Sequence, residues 1–277
     1  MYVGILTAPL RERSLAEIIP WAGAQGIRGL EIEARPGSHH NFVEAGDTEL
    51  DRIRELLGQH QMMISGLACY VPLVGVPAAQ AAQSRRALEQ AIELAVRLDV
   101  DTVCALAGFP AEGKDRAQTI AEDLPAAFRP LLDLAGQRGV RLALENWFRT
   151  NIQHLDHWRA LFDVLPDAHF GLNFDPSHLD WQGIDVTAAL REFRDRIFHV
   201  HAKDVAVEPA VLARVGYLGD GWWRYVLPGY GRIRWGEFIT QLRLQGYDGV
   251  LSIEHEDDAF SPEEGFSKAA RYLGGLV

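Results

Sequence analysis

The sequence predicts one closed (β/α)8 barrel, the TIM-barrel class of α/β fold, and three observations carry that prediction. Short β-rich runs alternate with amphipathic stretches, eight of each; such alternation implies parallel βαβ units. A chain of 277 residues suits eight units in a closed barrel better than an open sheet with an added domain. No linker or low-complexity segment divides the chain, so one domain over 1–277 is expected.

The units run in order. YVGILT, from Tyr2, leads into SLAEIIPWAGAQG, whose apolar residues recur at the three- and four-residue spacing of a helix with one buried face. GLEIEA (Gly29) is followed by TELDRIRELLGQHQ, MISGLAC (Met63) by RRALEQAIELAVRLD, and DTVCALA (Asp101) by AEDLPAAFRPLLDLAGQRG. RLALEN (Arg141) precedes LDHWRALFDVLP, FGLNFD (Phe170) precedes ALREFRDR, IFHVHAKD (Ile197) precedes GEFITQLRLQGY, and GVLSIEHE (Gly249) precedes GFSKAARYLGGLV. Gly26, Gly139 and Gly246 suit helix C-caps, because glycine enters left-handed backbone without a Cβ clash. The second and seventh strand-to-helix loops, RPGSHHNFVEAGD and Val205 to Arg234, are long, and long ordered loops are usually functional.

Composition narrows the function. The chain is 48% hydrophobic with 38 acidic and 27 basic residues, a net charge of −11, which argues against a sequence-independent hold on nucleic acid phosphates. Its two cysteines, Cys69 and Cys104, sit in apolar runs and read as buried inert thiols, without a disulfide framework. The N-terminal stretch shows no secretory leader and no run of about 18 apolar residues occurs, so a cytoplasmic protein without a membrane partner is expected.

In such a barrel the chemistry gathers at the C-terminal ends of the strands. Glu145 ends the fifth strand, Asp175 the sixth, the seventh carries His201 and the eighth carries Glu254. Singly, each carboxylate could cap a helix or pair in a loop, and the histidine could be a satisfied buried ring. Three carboxylates and an imidazole at equivalent positions would converge near the axis, where burying the carboxylates together is costly without a cation. Oxygen-rich donors with one imidazole suit one divalent metal ion, Mn2+ first, with Mg2+, Co2+ or Zn2+ as alternatives.

The motifs LALEN, NFDPSH, HVHAKD and SIEHE, in this strand order, resemble the xylose isomerase-like sugar isomerases and epimerases, nearest to their tagatose and psicose 3-epimerase branch. The resemblance covers essentially the whole chain. It implies that Glu145, Asp175, His201 and Glu254 hold a divalent metal, and that His178, three residues after the aspartate, contacts substrate. It also implies a sugar isomerase or epimerase acting on a small ketose, keto-sugar or sugar phosphate through an enediolate. Glu145 and Glu254 would trade the roles of base and acid across the reacting carbon. One departure stands out: that branch has an arginine a few residues after the seventh-strand histidine, and HAKDVAVEPA has none. The long seventh loop, LGDGWWRYVLPGYGRIRWGEF, is similar to one in bacterial proteins described as sugar phosphate isomerase/epimerase.

Other residues near the strand ends carry paired expectations. Lys203 could hold a substrate oxygen or pair with Asp204 or another acid; Asp204 lies near a second-metal position of some relatives but reads more readily as a structural ion pair. Trp222, Trp223 and Arg224 could bind the substrate, or plug the loop or a subunit contact of a homo-oligomer. His39 and His40 could reach the pocket mouth, Asn146 and Trp147 could shape the pocket, and His255 should point away from Glu254 by strand alternation. GFPAEGKD nearly spells a phosphate-binding loop but ends in Asp115 where a hydroxyl is needed, and GYGRIRWG lacks the context of a dinucleotide site. The runner-up function is a lyase or dehydratase on a keto-sugar, 3-keto-glycoside or inosose. An endonuclease IV-like DNA repair enzyme, which needs more histidine ligands and a basic surface, ranks below it, as does a non-catalytic binding barrel.

Overall fold

The structure is a computed structural model that describes residues 1–35, 37, 38 and 45–277; His39 and His40 lie outside the described residues. The strands are β1 (Tyr2–Leu6), β2 (Gly29–Glu33), β3 (Met63–Ala68), β4 (Thr102–Leu106), β5 (Arg141–Glu145), β6 (Phe170–Phe174), β7 (Ile197–Ala202), β8 (Asp204–Val207), β9 (Trp223–Val226) and β10 (Val250–Ile253). All but β8 and β9 are parallel and close into a barrel in the order β1, β10, β7, β6, β5, β4, β3, β2. Tyr2 pairs with Val250 on one side of β1 and Gly4 with Gly29 on the other, which closes the ring. β4 and β6 are buried along their whole length, as parallel strands must be when helices cover one face and the barrel interior fills the other.

Around the barrel run α1 (Leu15–Ala24), α2 (Asp47–Gln59), α3 (Ala78–Leu98), α4 (Arg116–Glu122), α5 (Leu124–Arg138), α6 (Leu155–Val164), α7 (Ser177–Asp180), α8 (Val186–Glu192), α9 (Pro209–Val215), α10 (Trp235–Leu244) and α11 (Pro262–Gly274). The amphipathic stretches bury the expected face: α3 turns Leu88, Ala91, Ile92 and Ala95 inward, each completely buried, and a buried leucine or isoleucine contributes about 1.5–3 kcal/mol. Ser14 and Glu17 form a capping box that starts α1. Gly26, Gly139 and Gly246 follow α1, α5 and α10 with φ of +77°, +67° and +87°. The fourth helical stretch is longer than its motif suggests, because α4 precedes α5 and the two meet at Asp123.

The largest departure from the sequence reading is in the seventh unit. The run IFHVHAKD does not continue as one strand to Asp204; β7 stops at Ala202, and Asp204 opens an antiparallel hairpin of β8 and β9 inside the long loop. Asp204 causes the turn. Its buried carboxylate accepts hydrogen bonds from Val205 N (2.8 Å) and Ile233 N (3.1 Å) at Oδ1. Gly229 N (3.1 Å), Gly231 N (3.3 Å) and Trp235 Nε1 (2.9 Å) donate to Oδ2. GYGRIRWG is therefore a segment wrapped around a carboxylate. At Gly231 a side chain has no room, since a Cβ would lie 2.2 Å from Asp204 Oδ1.

GFPAEGKD is likewise structural. Gly108, at φ +67°, lets the third and fourth loops touch, because a Cβ there would lie 2.7 Å from Val74 O. Asp115 caps α4 by accepting from Gln118 N at 2.8 Å, and Lys114 pairs with Asp123 at 2.8 Å and Glu122 at 3.0 Å.

Candidate metal centre and active site

At the C-terminal mouth of the barrel, Glu145 is the last residue of β5, Asp175 the first beyond β6, His201 lies inside β7, and Glu254 is the first beyond β10. One oxygen or nitrogen from each falls within 4.8 Å of all the others. Asp175 is aimed by its neighbours: its N–H donates to Asn146 Oδ1 (2.7 Å) and Asn146 Nδ2 donates to its carbonyl (2.9 Å), so the ends of β5 and β6 are locked together. Ser177 N donates to Asp175 Oδ1 at 2.7 Å. Asp175 Oδ2, buried and without an aligned hydrogen bond, is left facing the site.

His201 presents Nδ1 to Glu145 Oε1 (3.3 Å) and Glu254 Oε2 (3.1 Å), and its Nε2 lies 3.0 Å from Glu31 Oε2. The Lys203 ammonium is buried among the acids, 2.6 Å from Glu254, 3.2 Å from Asp175, 3.6 Å from Glu256 and 4.0 Å from Glu145. Its partners are thus the site carboxylates, and Asp204 serves the loop instead.

These contacts set the charges. Burial works against ionising Glu145, but hydrogen bonds from His178 and His201 and the Lys203 charge outweigh it and hold the carboxyl well below its usual range. Burial is similarly overcome at Glu254, which Lys203 and His201 hold below its usual value. Conversely, burial disfavours charge on His201 and Lys203, yet the surrounding carboxylates hold both well above their ordinary values. Burial pushes Asp204 up, and hydrogen bonds from Trp235, Ile233, Val205 and Gly229 only partly offset this.

Such a group demands positive charge. Three convergent carboxylates, with Asp175 Oδ2 turned towards the Lys203 ammonium at 3.2 Å, and an imidazole nitrogen on the same side match the oxygen-rich donor set of a divalent cation. The residues present therefore fit one metal ion.

His178, on α7, stands beside the carboxylates: Nε2 is 3.3 Å from Glu145 Oε1, 3.6 Å from Asp175 Oδ2 and 3.4 Å from Lys203 Nζ. Its Nδ1 lies 2.7 Å from the hydroxyl of Tyr225, which reaches in from β9, and Lys203 Nζ sits 4.5 Å from the centre of the Tyr225 ring. Trp223 shares that face of β9, stacked on Trp181 at 4.4 Å, with Phe148 edge-on to both at 5.8 and 5.0 Å. Strand alternation sends Arg224 the other way, largely exposed and paired with Asp257 at 2.9 Å. Trp222 is only 2% exposed and packs against Trp181 and Tyr217. Of the three loop residues expected at the substrate, only Trp223 shares the His178-facing side of β9, and Tyr225 joins it.

Sequence reasoning missed Tyr225, Glu31, Tyr70 and Asn173. Tyr225 had a signal in its i, i+2 relation to Trp223, but only if a strand was recognised within the loop. Glu31 and Asn173 are polar residues inside strands β2 and β6, and the sheet register shifts at each of them. His255 packs edge-on to Phe266, away from the cluster as expected. Cys69 and Cys104 are buried free thiols, and burial pushes Cys69 up to about 12.

A parallel eight-stranded barrel with polar donors gathered at its C-terminal mouth is the architecture of the xylose isomerase-like TIM barrels, and the chain belongs to that family, whose model matches residues 19–275. Among its relatives, the uncharacterised protein YfiH of Bacillus subtilis strain 168 is 28% identical over 99% of this chain and 98% of its own length. An inosose dehydratase of Clostridium perfringens is 29% identical over 56% of this chain, spanning 53% of that enzyme. The crystal structure of an IolI protein with a bound zinc atom superposes with a TM-score of 0.80 at 20% identity, covering 100% of this chain and 98% of that one. No helix among the described residues is long and apolar enough to cross a membrane.

Proposed function

We propose that the protein is a divalent-metal-dependent enzyme that moves a proton on a carbon next to a carbonyl of a small polyhydroxylated ketone, as a sugar isomerase or epimerase. The convergence of Glu145, Asp175, His201 and Glu254 within 4.8 Å carries this reading. A bound ion would supply Lewis acidity to a substrate carbonyl and its neighbouring hydroxyl, making the C–H between them acidic enough to lose a proton near neutral pH.

The chain's own residues do the rest. Glu145 and Glu254, both held ionised, are poised to accept that proton. The buried ammonium of Lys203, 2.6 Å from Glu254 Oε2, can return one. His178, oriented by Tyr225, is placed to bind a substrate hydroxyl. The Trp181, Trp223 and Phe148 rings offer apolar faces for the C–H side of a sugar.

A second reading, β-elimination by a lyase or dehydratase, is favoured by one observation. The chain matches an inosose dehydratase at 29% identity over 56% of its length, and in that reading the Lys203 ammonium would protonate the leaving hydroxyl instead of carbon. Metal analysis of the purified protein, followed by a screen of ketoses, keto-glycosides and inososes in deuterated water, tests both. Isomerisation or epimerisation puts deuterium into a product of conserved composition, whereas elimination yields a dehydrated product. Absence of any divalent ion affinity would overturn the proposal.

A further inference from the structure

Glu31 is fully buried in the middle of β2, on the inner wall of the barrel, where an aliphatic side chain would pack at far lower desolvation cost. Its direction is set by the strand: the β2–β3 register shifts between Leu30 and Glu31, and such an irregularity re-aims a side chain. The carboxylate is surrounded by donors. Oε2 accepts from Ser252 Oγ at 2.8 Å and lies 3.0 Å from His201 Nε2, while Oε1 accepts from the Tyr70 hydroxyl at 2.5 Å.

The next layer leaves little freedom. The Tyr70 oxygen accepts from Asn173 Nδ2 at 2.9 Å while its hydroxyl reaches Glu31, and Asn173 Oδ1 faces His199 Nδ1 at 3.0 Å. His201 Nε2 also lies 3.0 Å from the Tyr70 hydroxyl and 3.0 Å from Asn173 Nδ2; among these neighbours only the ionised Glu31 carboxylate is purely an acceptor, which directs the Nε2 hydrogen towards it. The opposite ring nitrogen, Nδ1, is the one facing Glu145 and Glu254.

We infer that Glu31 is a positioning residue for the metal centre: by accepting the Nε2 hydrogen it orients His201 so that Nδ1, once a metal ion displaces its proton, presents its lone pair to the site between the carboxylates. Its negative charge behind the ring also strengthens that nitrogen as a donor. This inference rests on the metal reading of the site.

Glu31→Gln keeps the shape and removes the charge. The full-length wild type and variant, stripped with a chelator, are titrated with zinc against a chromophoric competitor at neutral pH, and melting of the stripped proteins is followed in parallel. The variant is expected to bind zinc about 10–100-fold more weakly. A variant within threefold of wild type overturns the inference. A second measurement needs no variant: in the zinc-loaded wild type, the ring-nitrogen shifts of His201 should show zinc on Nδ1 and a slowly exchanging hydrogen on Nε2. Zinc on Nε2 overturns the inference even if the variant does not fold. A wild type that binds no zinc, Mn2+ or Co2+ overturns the metal centre itself. Normal wild-type binding with an indifferent variant overturns only the role of Glu31.

Discussion

Replacing Asp204 by asparagine should cost about 3 kcal/mol of stability and loosen the seventh loop without touching the cluster of Glu145, Asp175, His201 and Glu254. The side chain is buried and gathers five hydrogen bonds, two at Oδ1 from Val205 N and Ile233 N and three at Oδ2 from Gly229 N, Gly231 N and Trp235 Nε1. Asparagine best keeps the larger set by placing its oxygen on the Oδ2 side. Its NH2 then meets the N–H groups of Val205 and Ile233, leaving two buried donors unpaired. At about 1–3 kcal/mol for each unsatisfied group the range is about 2–6 kcal/mol, and local relaxation places the expectation in its lower half. Urea unfolding followed by tryptophan fluorescence reads the loss, and amide exchange at Gly229, Gly231 and Ile233 reports whether the loop has opened. A loss below about 1 kcal/mol with those amides still protected would refute the reasoning. Unchanged zinc affinity is also expected, because the hydrogen bonds of Asp204 all run to the seventh loop.

Glu145→Gln and Glu254→Gln should each abolish deuterium exchange into the true substrate, by about a hundredfold or more, while sugar binding survives; normal exchange in either would remove it from the proton relay. Tyr225→Phe deletes the 2.7 Å contact with His178 Nδ1 and should slow turnover about tenfold and lower folding stability by about 1 kcal/mol, as read by steady-state kinetics and urea unfolding. Saturating metal at about 100 times its Kd should stabilise the folded chain by about 2.7 kcal/mol, and a chelator should reverse the gain in a thermal melt. Burial, with neighbouring His154 and Arg116, holds His157 down at about 4, so it stays neutral in the fold while the unfolded chain protonates it below about 6.5. Its contribution is therefore complete above pH 6.5 and is lost as pH falls towards 4. His157→Gln should flatten the acid-side slope of stability by about one proton, as measured by urea unfolding across that range.

The sequence by itself determined the barrel and the four convergent donors. Strand–helix alternation is a local pattern, and a parallel barrel turns it into geometry by a general rule: whatever ends a strand lies at the mouth. Glu145, Asp175, His201 and Glu254 could be read from LALEN, NFDPSH, HVHAKD and SIEHE for that reason alone. Only the tertiary structure decided what surrounds them. Lys203 could equally have paired with Asp204 by sequence, yet the hairpin swings Asp204 away to hold the loop and leaves the ammonium among the carboxylates. The same hairpin turns Trp223 and Tyr225 to one face and Arg224 to the other, because which face a residue presents depends on where β9 begins, and pairing with β8 fixes that. Glu31 is the extreme case. It lies 170 positions from His201 in the chain, and only closing the sheet puts its carboxylate against that ring.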